Sequence, residues 1–490
     1  MTPTLKEQKE AFVTGHEGST PLENFLVCLS SPVGIFLFNE LRQNIISSEF
    51  EGGSRNPKSR GTRAMLVVLE SVVLLFPMAI CQTTLLHSVG VPLIFLEFLL
   101  GILLAFFRLR APNLCGRSPA ESGGVPLVKD CGGEPKLKPR LEFLTSYRSS
   151  VSYLTFVAIL AVDFRIFPRK FAKTETVGYG LMDLGAGSFI VAGGLVSPSA
   201  RHDQTIGKDM LVSTMIRLVP LVLLGVVRLA TNKGIEYQEH ASEYGVHWNF
   251  FFTLASVSFY ALVSRLASAR KNRTIIPISL LLMYQFALSK KGLQSYIENA
   301  PRICSSSDKV LCSFFAANRE GLLGCIGYLA MFLISEDIGY YCLWNCKWNE
   351  KDQGLRLLFS SVALWTIHFA LVNICDVPVS RRSTNCSFVA WTLAHNMSML
   401  LLIWLSFYIM KLSTKSSKPS PIFDAVNRHG LVVFMLANLM TGLVNITINT
   451  LEVGDEQALL IIFCYLIFVG TSALLLDWVF SSKKEKLKVK

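Results

Sequence analysis

Apolar residues gather along this chain in blocks long enough to cross a lipid bilayer, each closed off by polar or turn-rich connectors. A helix needs roughly 20 apolar residues to span the ~30 Å hydrocarbon layer. On that measure the pattern predicts about thirteen spans, near 23–41, 64–82, 91–107, 151–164, 180–197, 211–230, 248–267, 274–289, 321–341, 357–375, 388–410, 430–449 and 457–479. Two are short at face value: 151–164 stops at Asp163, and Lys290 and Lys291 follow 274–289 closely. Ser30, Ser31 and Pro32 interrupt the first. Lipid offers no partner for an open backbone amide, and the short alternating segments of a barrel are absent, so the predicted class is all-α. The expectation is a polytopic transmembrane helix bundle forming one integral membrane domain over 1–490. It carries a basic connector at 108–150 and a basic tail at 480–490.

Composition agrees, with 51% hydrophobic and 17% charged residues. Too few charges remain to solvate a water-soluble surface over 490 residues. The net charge of +12 sits in the connectors and lacks a basic tract interleaved with aromatics, so nucleic acid is not an expected partner. The first 22 residues are polar, and no cleavable leader is expected. An odd number of spans puts the termini on opposite sides. Thirty Lys and Arg fall on connectors of the C-terminal side and fourteen on the other, with Arg217, Arg228 and Arg265 inside spans. Basic connectors stay cytosolic, which predicts a cytosolic C-terminus and a lumenal or external N-terminus. The connector 108–150 and the tail 480–490 are then cytosolic. Lys486 and Lys488 resemble a dilysine retrieval signal and equally suit a stop-transfer cluster.

Polar groups placed where a membrane makes them costly are the functional candidates. The connector after the fourth span, AVDFRIFPRKFAKTE, sets Asp163 at the end of an apolar helix. It then crowds Arg165, Arg169, Lys170 and Lys173 onto the side that should avoid cations. Pro168 breaks the helix, which lets the chain fold back and bring Lys173 toward Asp163, a carboxylate and an amine at a dehydrated boundary. Headgroup binding by Arg165 and Lys170 is the plainer account of the cations. The connector at 236–250 holds Glu239, His240, Tyr244, His247, Trp248 and Asn249, which read as a His–Glu base pair or as an aromatic belt. His240 and His247 stand seven apart and no HExxH occurs, so no metal is expected. Asn318 and Arg319 before the ninth span, and Arg381 and Arg382 after the tenth, offer phosphate-binding guanidiniums. Asn438, Thr441, Asn445 and Asn449 form a polar stripe down one helix, suited first to interhelical hydrogen bonding. Asp183 and Arg228 inside spans are expected to face the interior and pair. A disulfide between Cys304 and Cys312 would close one connector. Asn385-Cys386-Ser387 matches a glycosylation acceptor but lies too near a span.

Seven blocks in serial order, AVDFRIFPRKFAKTE, MDLGAGSF, GVVRLA, EYQEHASEYGVHWNFFFT, FFAANREG, PVSRR and LANLMTGLVNITI, together with Phe12-Val13-Thr14-Gly15, resemble the GPI (glycosylphosphatidylinositol) inositol-acyltransferase family over about residues 11–450. The resemblance implies a multi-pass protein of the endoplasmic reticulum membrane with its motifs facing the lumen. It implies transfer of a long-chain acyl group, usually palmitoyl, from acyl-CoA to the inositol 2-hydroxyl of glucosaminyl-phosphatidylinositol. Acyl-CoA is then a co-substrate and no cofactor is permanently bound. The family's catalytic Asp–Lys pair falls on Asp163 and Lys173, with either residue as the base and the other assisting. Phe167, Arg169 and Lys170 lie between the members of that pair in the same motif and are expected at the substrate, as are the candidates of the later blocks. Arg165 stands where several relatives are uncharged, and Lys170 where Arg is frequent. A multi-span lipid transporter, and an acyltransferase working through His368 or His395, are the rival readings.

Overall fold

The computed structural model describes residues 12, 16–49, 60–110, 140–201, 208–235, 241–267, 273–302, 309–344, 349–412 and 418–488. In chain order its helices are α1 (Pro21–Glu49), α2 (Arg60–Glu70), α3 (Phe76–Cys81), α4 (Val91–Arg110), α5 (Glu142–Ala161), α6 (Leu181–Leu195), α7 (Pro198–Arg201), α8 (Lys208–Ile235), α9 (Ala241–Tyr244) and α10 (Phe250–Ala267). They continue as α11 (Ile275–Lys290), α12 (Leu293–Asn299), α13 (Lys309–Ala317), α14 (Arg319–Ile338), α15 (Glu350–Asn373), α16 (Cys386–Lys411), α17 (Pro421–Arg428), α18 (Gly430–Thr447) and α19 (Asp455–Lys488). The protein is a polytopic helical membrane protein. Each of the thirteen apolar blocks coincides with a helix, and among the described residues nine helices are long and apolar enough to cross a membrane. Three shorter apolar helices, at Leu181–Leu195, Phe250–Leu266 and Ile275–Lys290, supplement them. Pro32 does not break α1, and a π-helical turn at Ser71–Leu75 joins α2 to α3 without a gap.

The connector placed at 108–150 is shorter than its polarity suggests. Residues 142–150 are the first turns of α5, with Phe143, Leu144 and Tyr147 buried. The serines that make this stretch look like a loop are satisfied inside the protein. Ser150 donates to the Ser146 carbonyl at 2.8 Å and receives Ser31, while Ser149 donates to the Phe423 carbonyl. A hydroxyl bonded to the preceding turn costs a buried helix little. Residues 111–139 lie outside the described residues, as do Cys304 and residues 489–490; Cys312 is disulfide-bonded.

The chain packs as two compact units, each assembled from segments distant in sequence. The first comprises Met1–Pro21, Lys170–Lys347 and Leu355–Met397. Its centre is α14, against which α6, α10 and α11 pack. The approach of α6 depends on Gly194, where a Cβ would stand 2.5 Å from the Phe332 carbonyl oxygen. Small residues let helix backbones approach this closely in a membrane. At one end of α14, Arg265 and Arg273 interlock with Glu336 and Asp337 at 2.6–3.0 Å, which neutralises all four charges. Arg265, a charge in the last turn of an apolar helix, is thus paired.

The second unit comprises Leu22–Arg169, Trp348–Gly354 and Ser398–Lys490. Here α17 packs on α5 and α19 and buries Ile422, Phe423, Ala425 and Val426. Its first turn is capped from afar, since the Glu70 carboxylate accepts the Ile422 and Phe423 amides at 3.0 and 3.1 Å. Those are two of the amides every helix start leaves open. Arg108 grips the buried Glu40 with two 2.7 Å bonds. Phe95, Leu96, Phe98 and Leu99 of α4 remain exposed, as a lipid-facing surface requires.

Candidate active site

In the second unit, α5 ends at Ala161 and the chain turns tightly through residues 162–167, burying Phe164, Ile166 and Phe167. Arg169 holds that turn closed. Its guanidinium donates to the carbonyls of Val162 (2.9 Å), Phe164 (3.1 Å) and Phe167 (2.9 and 3.1 Å). Burial pulls its pKa down to about 10, against the opposing pull of Asp163. The turn leaves Asp163 half-buried one residue beyond the helix cap. Its Oδ2 accepts a 2.6 Å bond from Asn445 Nδ2 on α18, which also donates to the Thr441 carbonyl at 3.2 Å. The polar stripe therefore serves the carboxylate through Asn445. Asn438 bonds to the Phe434 carbonyl of its own helix at 2.7 Å. Phe167, 1% exposed, is a core residue under the Arg169 guanidinium.

In the first unit the chain continues through an exposed Lys170, close to the Phe171 ring, to a half-buried Lys173. Lys173 Nζ pairs with Glu243 Oε1 on α9 at 2.5 Å. Arg381, 5% exposed, stands 3.7 Å from Glu243 and 3.5 Å from Asp183, with its guanidinium 4.8 Å from the centre of the Tyr244 ring. Asp183 on α6 accepts the Thr174 amide (3.0 Å) and hydroxyl (2.7 Å). Burial opposes the Arg381 charge, but Tyr244, Tyr328, Glu243 and Asp183 outweigh it and hold its pKa well above the ordinary value. Burial, helped by Glu243 and opposed by Arg381, raises the Tyr244 hydroxyl.

The loop that carries Arg381 is fixed from both ends. Ser380 donates to the Thr176 carbonyl at 2.6 Å, and Gly178 donates to the Val379 carbonyl at 2.8 Å. Gly178 has φ +133°, and a Cβ there would strike the Glu17 carbonyl. Asn385 is buried, donates to the Pro378 carbonyl and caps α16 through the Phe388 amide, so its glycosylation motif is spent on structure.

Other candidates build the scaffold. Arg319, 2% exposed, donates to the carbonyls of Ile297 (2.9 Å), Pro301 (3.2 Å) and Ala316 (3.4 Å). Arg382 donates to the Glu298 carbonyl (3.1 Å) and shares the buried Glu320 with Arg302. Replacing Arg319 with Met strands those carbonyls beside Glu320. It is expected to destabilise the fold by about 3–5 kcal/mol, the usual cost of breaking a buried charged network. Thermal unfolding of the detergent-solubilised variant checks this, and an unchanged midpoint overturns it. Asn318 accepts the His247 amide at 2.7 Å, and Trp248 donates to Thr253 at 2.9 Å. Asn249 caps α10 by accepting the Phe251 and Phe252 amides. Glu239 and His240 lie outside the described residues. His368 accepts or donates with Tyr179 at 3.1 Å, and His395 is buried in α16.

Two residues central to this arrangement were not among the sequence candidates for the site: Glu243, and Thr174 beside Lys173. Glu243 was visible only as one of three carboxylates in its connector, and its partner lies 70 residues away.

Compared with known families, residues 5–476 match the model of the GWT1 family. The chain belongs to the GWT1 family. Among GWT1 relatives, the GPI-anchored wall transfer protein 1 of Aspergillus fumigatus is 35% identical over 502 residues, covering 95% of this chain and 96% of the relative. That of Emericella nidulans is 33% identical with full coverage of both. The corresponding protein of Candida albicans is 33% identical over 70% of this chain and 76% of its own. This GWT1 match bears out the family resemblance carried by the seven serial blocks.

Proposed function

We propose that this membrane protein acts in GPI-anchor biosynthesis. It transfers a long-chain acyl group, palmitoyl in the usual case, from acyl-CoA to the inositol 2-hydroxyl of glucosaminyl-phosphatidylinositol in the endoplasmic reticulum membrane. The supporting observation is the family match over 5–476, which contains both members of the Asp–Lys pair. Each member is held by a defined partner, Asp163 by Asn445 and Lys173 by Glu243.

The reaction asks two things of the protein. The hydroxyl must lose its proton as its oxygen attacks the thioester carbonyl, and the negative charge that develops on the carbonyl oxygen must be stabilised. The carbon–oxygen bond forms, the carbon–sulfur bond breaks, and the hydroxyl proton ends on the CoA thiol. A carboxylate and an ammonium supply these needs without a bound cofactor. Lys170, exposed in the same connector, meets a phosphate of either substrate as a point charge in this reading.

Purified protein supplied with labelled palmitoyl-CoA and glucosaminyl-phosphatidylinositol tests the reading. The label is expected to move into the glycolipid as an alkali-labile ester. Movement of lipid across the bilayer with no covalent product would instead establish a transporter.

A further inference from the structure

The surroundings of Lys173 bear on how that side chain serves the reaction. An ammonium touching a carboxylate is oriented by that charge-assisted bond. Glu243 is that carboxylate, with its side chain only 15% exposed. It is itself tied to Arg381, whose charge is permanent. Arg381 faces Asp183, and Asp183 is anchored by both donors of Thr174, the residue that follows Lys173. The links thus close a ring from Lys173 through Glu243, Arg381, Asp183 and Thr174 back to Lys173, with charges alternating around it. A ring of this kind fixes the direction in which the ammonium points.

We propose that Glu243 is a positioning residue for acyl transfer. It holds Lys173 as an aimed ammonium that stabilises the oxyanion developing on the thioester carbonyl oxygen. This rests on the acyl-transfer reading above. Glu243 itself touches neither substrate in this scheme.

The test is Glu243→Gln, which keeps an oxygen for Lys173 and removes the charge, alongside Glu243→Asp, which keeps the charge. Rates are taken per amount of folded protein, with palmitoyl-CoA varied. For Glu243→Gln, kcat is expected to fall about tenfold or more, toward the ~10²–10³ that loss of an oxyanion donor costs. The KM for palmitoyl-CoA is expected to stay within about twofold, the signature of an interaction made in the transition state. Glu243→Asp is expected to recover most of the rate. Wild-type kcat in Glu243→Gln overturns the proposal. Equal losses in both variants, or losses that vanish after correction for folded protein, also overturn it by showing that shape and not charge is what matters. Failure of the unaltered protein to make the ester defeats the acyl-transfer reading instead, and the two failures are therefore distinct.

Discussion

With asparagine in place of Asp163, acyl transfer is expected to fall by about 10³-fold, within the ~10²–10⁴ that a general base supplies. The substitution is nearly isosteric, and the new amide oxygen still accepts from Asn445 Nδ2, now 2.6 Å from the carboxylate. The turn at 162–167 is held by Arg169 through backbone carbonyls and does not depend on the carboxylate. The variant therefore inserts and folds while lacking a group that takes a proton. Initial rates of labelled ester formation in membranes matched for protein content check this, and retained turnover refutes the assignment of Asp163.

Methionine in place of Lys173 is expected to cost about 10²–10³ in kcat, the scale of a lost oxyanion donor. Methionine preserves most of the length of the side chain, and Glu243 keeps Arg381 as a partner, so the deletion does not strand a buried charge. Little loss of thermal stability should accompany the loss of rate. Lys173→Arg separates the two roles open to the residue. Arginine does not give up its proton in a protein, so activity above that of Lys173→Met means that a cation is what the reaction needs. Wild-type kcat in Lys173→Met removes Lys173 from the chemistry altogether.

Much of this was legible in the order of residues. Hydropathy located the apolar helices because an intramembrane segment must be apolar along its lipid-facing length whatever it later packs against. It misplaced the start of α5 because Ser149 and Ser150 face protein, where the Phe423 and Ser146 carbonyls receive their hydroxyls and Ser31 donates to Ser150. It passed over α17, which is too short to span and lies in a polar connector. The cations of the later motifs were visible as charges. Whether a guanidinium is open to a ligand or consumed by carbonyls depends on where distant chain segments lie. Arg319 shows this, since two of its acceptors sit 18 and 22 residues before it. The partner of Lys173 was hidden for the same reason. No local spacing relates Lys173 to Glu243, and a connector with three acids gives no sign of which one turns inward.

The long-range cap on α17 also constrains how the polypeptide is made. Glu70 belongs to the second apolar block, yet the amides it serves lie 352 and 353 residues downstream. On the ribosome this acid reaches the bilayer while most of the message is still untranslated. The assembly that contains the opening helices can be sealed only after the closing ones emerge, so the part of the molecule begun first is among the last to be finished.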